Sequence, residues 1–311
     1  CMIQNLKVVK RKSVECFELC LINACQKFEV DWPLAIYHYA KFLYTKNKPD
    51  LVVQIQNMSR DIARNIENLF GISYEALKLD DSLTAQNIIK SQLVIDRPII
   101  IKIDPFFCSW TKEFQTIHQE HYILIIGYCS GYLCIDPIFS EVVQNLSVEQ
   151  LLKGYLDVYV FHRNNTYSFN VKKPLKTLSD IIASQENDIA YSMLEDDVLR
   201  SNSLEYRQVS SSFWKLHDSL KWGYYLSGSR ELFLDFLLCL RTKVPIPIPT
   251  ISEWKAVTYE WHTCMDMLVK RSVMMKSVSD ILKRMLLLLP REKQFFLSFN
   301  CYINHLLNEV T

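Results

Sequence analysis

The sequence predicts an α+β fold followed by an all-α region, and three observations carry the prediction. Apolar residues first recur at helical spacing, from Val14 to Ser91. Compact β-branched and aromatic runs then follow, from Pro98 to His162. Beyond about Asn164 only helical periodicity remains. Helices followed by an antiparallel sheet give a segregated α+β domain, expected over 1–168. A helical domain over 169–311 completes a chain of 311 residues, enough for two ordinary domains.

The elements follow in order. Ser13 is the expected N-cap of a helix over Val14–Phe28, with Phe17, Leu21, Ala24, Cys25 and Phe28 on one face. Pro33 suits the first turn of a second helix over Pro33–Tyr44. A third covers Met58–Phe70 and stops at Gly71. A short fourth covers Thr84–Ser91, with Thr84 as its cap. The run Pro98–Ile103, closed by Asp104-Pro105, reads as a buried strand. Tyr122–Tyr128 and Tyr132–Ile135 form a hairpin around Ser130-Gly131, and Asp157–His162 is the last strand. The boundary falls in the polar stretch Asn164–Lys173 before Pro174. Helices are then expected over Leu175–Ser184, Asp188–Arg200, Ser211–Leu226, Arg230–Leu240, Ile251–Lys270 and Ser272–Leu289. Val244–Pro249 is an extended polyproline-like connector. The tryptophans of this half, Trp214, Trp222, Trp254 and Trp261, read as core.

Composition excludes several function classes. The net charge is +1 with no concentrated basic run, which does not suggest a nucleic-acid partner. Only six glycines occur, and G-x-G-x-x-G is absent, so neither a dinucleotide fold nor a phosphate loop has its backbone requirement. No C-x-x-C pair is present, and Cys16, Cys20 and Cys25 lack a histidine at ligand spacing. His118 and His121 have metal-binding spacing only on a helix, and His121 opens a strand. No metal and no cofactor is therefore expected. The ten cysteines are scattered through apolar stretches and read as free thiols of a reducing compartment. Lys7, Lys10, Arg11 and Lys12 interrupt any leader-like apolar run, and Met285–Leu289 is too short to span a bilayer. A cytoplasmic location without membrane partners is the expectation, and Cys1 carries no catalytic weight.

Two segments carry chemistry. SVECFELC, Ser13–Cys20, puts Cys16 in the first turn of a helix, where free N–H groups and the dipole stabilise an anion and offer an oxyanion donor. Cys20, one turn later, is the internal competitor with poorer access to free N–H groups. HYILIIGYCSGYLCIDP, His121–Pro137, puts a histidine at the start of a hairpin and Asp136 at its end. A thiol needs a base, and the base needs an orienter to fix its tautomer. A two-residue turn, at Ser130-Gly131 or Cys129-Ser130, places His121 and Asp136 on one face. In the tighter register they are diagonal neighbours at roughly 7–8 Å. A three-residue loop would place them on opposite faces. The bland readings are a buried structural thiol and an aspartate that merely ends a strand, as Asp104-Pro105 does elsewhere.

A cysteine at a helix start, a His-strand-Gly-Tyr segment, a hairpin and an Asp-Pro resemble the papain-like bacteriocin-processing cysteine peptidases. Their D-C-G-x-x-C start corresponds to Glu15-Cys16-Phe17-Glu18-Leu19-Cys20, and their H-[apolar]-G-Y strand to His121 with Gly127-Tyr128. The closer resemblance is to the butirosin biosynthesis protein H family, a papain-like part followed by a helical region. There a tryptophan helix leads to an arginine and an F-L pair, similar to Phe213-Trp214-Lys215-Leu216 and Arg230–Leu237 here.

The resemblance implies acyl transfer in natural-product (antibiotic) biosynthesis. Cys16 would take the acyl or peptidyl group from a phosphopantetheine thioester on a carrier protein. His121 would move the protons, Asp136 would hold the imidazole, and a small molecule or peptide would accept the group. The helical domain would be a lid or a docking surface for carrier or substrate. Two departures stand out: Phe17 replaces a small glycine beside the thiol, and the upstream glutamine of the peptidases has no equivalent closer than Gln4, Lys10–Lys12 standing in that zone. A thioesterase or cyclase, a leader-cleaving peptidase, and a non-catalytic binding protein of the same fold are the alternatives.

Overall fold

The computed structural model describes residues 7–11, 13–45, 48–79, 81–164, 166–202, 216–274 and 278–309. The chain divides into two compact units. The first comprises Cys1–Trp32 and Ile62–Phe169, the second Pro33–Asp61 and Asn170–Thr311. The second unit takes in the stretch Pro33–Asp61 as well as the residues from Asn170 on.

The first unit is α+β. A six-stranded, wholly antiparallel sheet has the order β1-β6-β2-β3-β4-β5. Its strands are β1 Ile72–Leu77, β2 Ile99–Ile103, β3 His121–Tyr128, β4 Tyr132–Ile135, β5 Gln144–Leu146 and β6 Tyr155–Arg163. Helix α1, Cys16–Cys25, packs on β3, with Phe28 just beyond it against Phe161 of β6. The opposite face carries Ile101, Ile103, Ile123, Ile125, Val158 and Val160. It is covered by α3, Ser82–Val94, through Ala85 and Ile89, and by α4, Val148–Gly154, through Leu151. Helix α2, Lys48–Phe70, precedes β1; Gly71 follows it at φ 64° and turns the chain into the strand.

Several elements differ from expectation. Helix α1 starts at Cys16 with Glu15, not Ser13, as N-cap; Ser13 is left-handed at φ 64°. The expected helix after Pro33 is a 3₁₀ segment, Trp32–Ala40, kinked at Ile36. Asp81, not Thr84, caps α3, accepting from Leu83 N at 2.9 Å and Thr84 N at 2.9 Å. Strand β1 carries no clear sequence signature: it is an edge strand whose exposed Tyr74, Glu75 and Ala76 break the apolar alternation. β5 and α4, both short, are further additions to the expected elements.

Among its described residues the second unit is helical, with α5 Lys172–Ile182, α6 Gln185–Asn202, α7 Leu216–Leu240, α8 Ile248–Val273 and α9 Ser279–Glu309. The region expected as two helices through Leu226 and from Arg230 is continuous in α7. Phe213, Trp214 and Lys215 lie outside the described residues. Helix α9 runs through Pro290, where the sequence suggested a stop. Packing overrides the proline: Glu292, two residues on, is fully buried and accepts from Tyr191 Oη at 2.6 Å, Trp261 Nε1 at 2.6 Å and Arg230 Nε at 3.2 Å, with Arg230 Nη2 completing the pair. Trp254, Trp261, Phe233 and Phe295 fill the surrounding core. No helix among the described residues is long and apolar enough to cross a membrane.

Candidate active site

Cys16 and His121 are each the first residue of their element, and α1 lies on β3, so the two starts meet. The Cys16 thiol is close enough to the His121 ring to help raise its pKa. Cys16 is partly exposed, whereas His121 is buried. The Glu15 side chain makes no capping bond to α1, and the first backbone bond there is Leu19 N to Glu15 O at 2.9 Å. The N–H of Cys16 therefore stands in the first turn, at the positive end of the dipole.

The hairpin brings His121 and Asp136 together by a route different from the one expected. The loop holds three residues, Cys129, Ser130 and Gly131, between the paired Tyr128 and Tyr132, closed by Cys129 N to Gly131 O at 2.9 Å. By parity that loop alone would send His121 and Asp136 to opposite faces. A β-bulge at Ile126 corrects it: the register shifts between Ile125 and Gly127, and one extra residue flips the alternation back. The result is His121 Nε2 at 3.1 Å from Asp136 Oδ2. With Nε2 occupied, Nδ1 is the nitrogen left for the thiol.

The two oxygens of Asp136 meet different partners. Oδ1 accepts from Ile138 N at 3.2 Å and Phe139 N at 3.1 Å, the turn that ends the strand. Oδ2 accepts from Trp110 Nε1 at 2.9 Å and faces His121. Asp104 repeats the device, with Oδ1 on Phe106 N at 3.0 Å and Oδ2 at 2.6 Å from His118 Nδ1. That second pair has an exposed histidine, stacked on Phe106 at 4.0 Å. His118 and His121 thus turn to different carboxylates, and among the described residues no group of three or more His, Cys, Asp or Glu could hold a metal ion.

Electrostatics follow from these contacts. Burial pulls the His121 pKa down, but the bond to Asp136 and the nearness of Cys16, with their charges, outweigh it and raise it to about 9. Burial pushes the Asp136 carboxyl up, yet the bond to His121, the imidazolium charge and the Trp110 N–H hold it below the usual range. Cys20 is no competitor: it is fully buried, donates to Tyr122 O at 3.4 Å, and burial raises its thiol well above the ordinary value. Burial, then the charges of Asp136 and Asp104, push Cys108 up to about 12.

Two residues were missed from sequence: Trp110, which anchors the carboxylate, and Phe139, whose ring lies 5.0 Å from the His121 ring. Trp110 sits in an irregular loop 26 positions from Asp136, so no periodicity marks it. Phe139 follows the Asp-Pro turn closely enough for that turn to have pointed to it. Gln4 and Lys12 lie outside the described residues. Segment 7–11 is tied to α1 by side-chain amides, Asn23 bonding Val9 N at 2.8 Å and Val9 O at 2.9 Å, and Gln26 bonding Lys7 O at 2.8 Å. Set against known proteins, the chain matches no family model and no curated sequence.

Proposed function

We propose that the protein is a cysteine-dependent acyl-transfer enzyme acting on an acyl or peptidyl thioester carried by the phosphopantetheine arm of a carrier protein. One observation carries the reading: a buried histidine bonded to a carboxylate that three further donors fix, with a partly exposed thiol at a helix start close enough to act on its ring. The resemblance to papain-like acyltransferases supplies the substrate class.

The chemistry follows from the contacts. Cys16 attacks the thioester carbonyl as thiolate, and its own N–H is placed to meet the oxyanion. The carbon–sulfur bond to the arm breaks, and the departing thiolate takes the proton of the His121 imidazolium. An amine then attacks the acyl-Cys16, His121 accepts its proton, and the Cys16 thiolate leaves with the acceptor acylated. Water or an internal nucleophile in place of the amine gives hydrolysis or cyclisation. Asp136 keeps the ring oriented and stays ionised throughout.

Incubation with acyl-pantetheine thioesters followed by intact mass is the test. Wild type should gain one acyl mass on Cys16; Cys16→Ala should gain none and His121→Ala almost none. Absence of acylation from every thioester, with iodoacetamide showing no preference for Cys16, would end the proposal. Cleavage of a leader peptide at the same site, without thioester turnover, would move the assignment to a peptidase.

A further inference from the structure

The surface beside the thiol has a composition that bears on the acyl group. Phe17, adjacent to Cys16, meets three tyrosines edge to face: Tyr74 of β1 at 4.9 Å, Tyr159 of β6 at 5.1 Å and Tyr122 of β3 at 5.2 Å. Tyr122 and Tyr159 lie 5.7 Å apart, their hydroxyls 3.5 Å apart, and Tyr74 closes the group at 6.0 Å from Tyr159. A cluster built only for stability would be sealed, as Phe233 and Trp254 are in the helical unit. Here Tyr74 is 40 % exposed and the other three rings are partly exposed. The β1 residue opposite Tyr159 is the small Ala76, and Tyr159 is partly exposed. Lys102, paired with Tyr122 in the ladder, is engaged by Glu120 at 2.6 Å and Asp157 at 3.7 Å, so its charge is already matched.

We propose that Phe17, Tyr74, Tyr122 and Tyr159 form the acyl-binding surface, and that it favours thioesters of aromatic or other flat apolar acyl groups over small or anionic ones. This rests on the acyl-transfer reading, since an acyl group bonded to Cys16 lies one residue from Phe17. A flat apolar body buries its area against ring edges and faces, whereas a carboxylate finds a cation already neutralised by two acidic neighbours, Glu120 and Asp157. Phe17 in the place of the family's glycine then narrows the space and supplies the wall.

The test compares loading of the full chain by 3-phenylpropanoyl-, acetyl- and succinyl-pantetheine at equal concentration, read by intact mass over time. Phenylpropanoyl should load about tenfold faster than acetyl, and succinyl slowest. Tyr74→Ala, at an exposed position, should lower the phenylpropanoyl-to-acetyl ratio roughly three- to tenfold. Phe17→Ala should lower it further, while Tyr259→Ala, an exposed tyrosine of the helical unit, should leave it unchanged. Equal loading by the three thioesters, or an unaltered ratio in both Tyr74→Ala and Phe17→Ala, overturns the surface assignment and leaves acyl transfer standing. No loading by any thioester overturns both.

Discussion

Replacing Asp136 by asparagine removes one charge from a buried site and reverses one of its hydrogen-bonding faces. In the native site four groups meet the carboxylate: Ile138 N and Phe139 N on Oδ1, Trp110 Nε1 and His121 on Oδ2. An amide satisfies only one pair, since its NH2 then faces either two backbone donors or Trp110 and the imidazolium. The larger consequence is electrostatic. Without the carboxylate, burial on His121 is opposed by Cys16 alone, and the pKa falls from about 9 toward its ordinary 6.5. That is a loss of up to about 3 kcal/mol in favour of the imidazolium, on the order of a hundredfold in proton affinity.

Single-turnover acylation of Cys16, measured from pH 5 to 10, reads this directly. Wild-type rates should fall on the alkaline side with a midpoint near 9, as the imidazolium that protonates the leaving thiolate is lost. In Asp136→Asn that midpoint should move down by up to about two pH units, with less loss of activity at low pH than in Cys16→Ala or His121→Ala. Folding stability carries the same signature. The raised His121 pKa contributes stability that is complete below about 6.5 and is lost as pH rises through about 9. The lowered Asp136 pKa contributes stability present above the usual carboxylate range and lost as pH falls through its depressed value. Wild-type melting temperature should therefore decline from neutral pH to pH 9, and Asp136→Asn should lose that slope. An alkaline limb that stays at 9 in the variant would refute the proposed role of the carboxylate.

Two further outcomes are expected. Trp110→Phe removes the indole donor at 2.9 Å while keeping the ring; it should move the acid limb upward, because Asp136 is held down less, and slow acylation about tenfold. A pH–rate profile superimposable on wild type would show that Trp110 only fills space. In the helical unit, Glu292→Gln leaves the Arg230 charge buried without its partner and should cost about 3–5 kcal/mol, read by urea unfolding; Leu297→Ala, at an exposed position on the same helix, should cost little.

Much of the first unit was legible because its signals are local. The run Ile99–Ile103 is buried at four of five positions, and a chain with that pattern has few options besides a central strand. Cys16, His121 and Asp136 could be singled out because each stands at an element end, where turn and cap chemistry leaves a mark in sequence. The cap itself was misread: Ser13 has the right side chain, but its backbone is left-handed and Glu15 takes the position, and no residue type announces that. Pro33–Asp61 shows the same limit, since periodicity describes which face is apolar and not which core will cover it.

The sequence by itself determined the residue types, their order and the strands that carry them. Tertiary structure decided whether they could meet. A three-residue loop at Cys129–Gly131 and a bulge at Ile126 each invert the side-chain alternation, and only their combination leaves His121 and Asp136 on a common face. Such paired inversions depend on how neighbouring strands hydrogen-bond, a property of the assembled sheet. The Trp110 anchor depends likewise on two loops folded against one another, a contact that no spacing along the chain encodes.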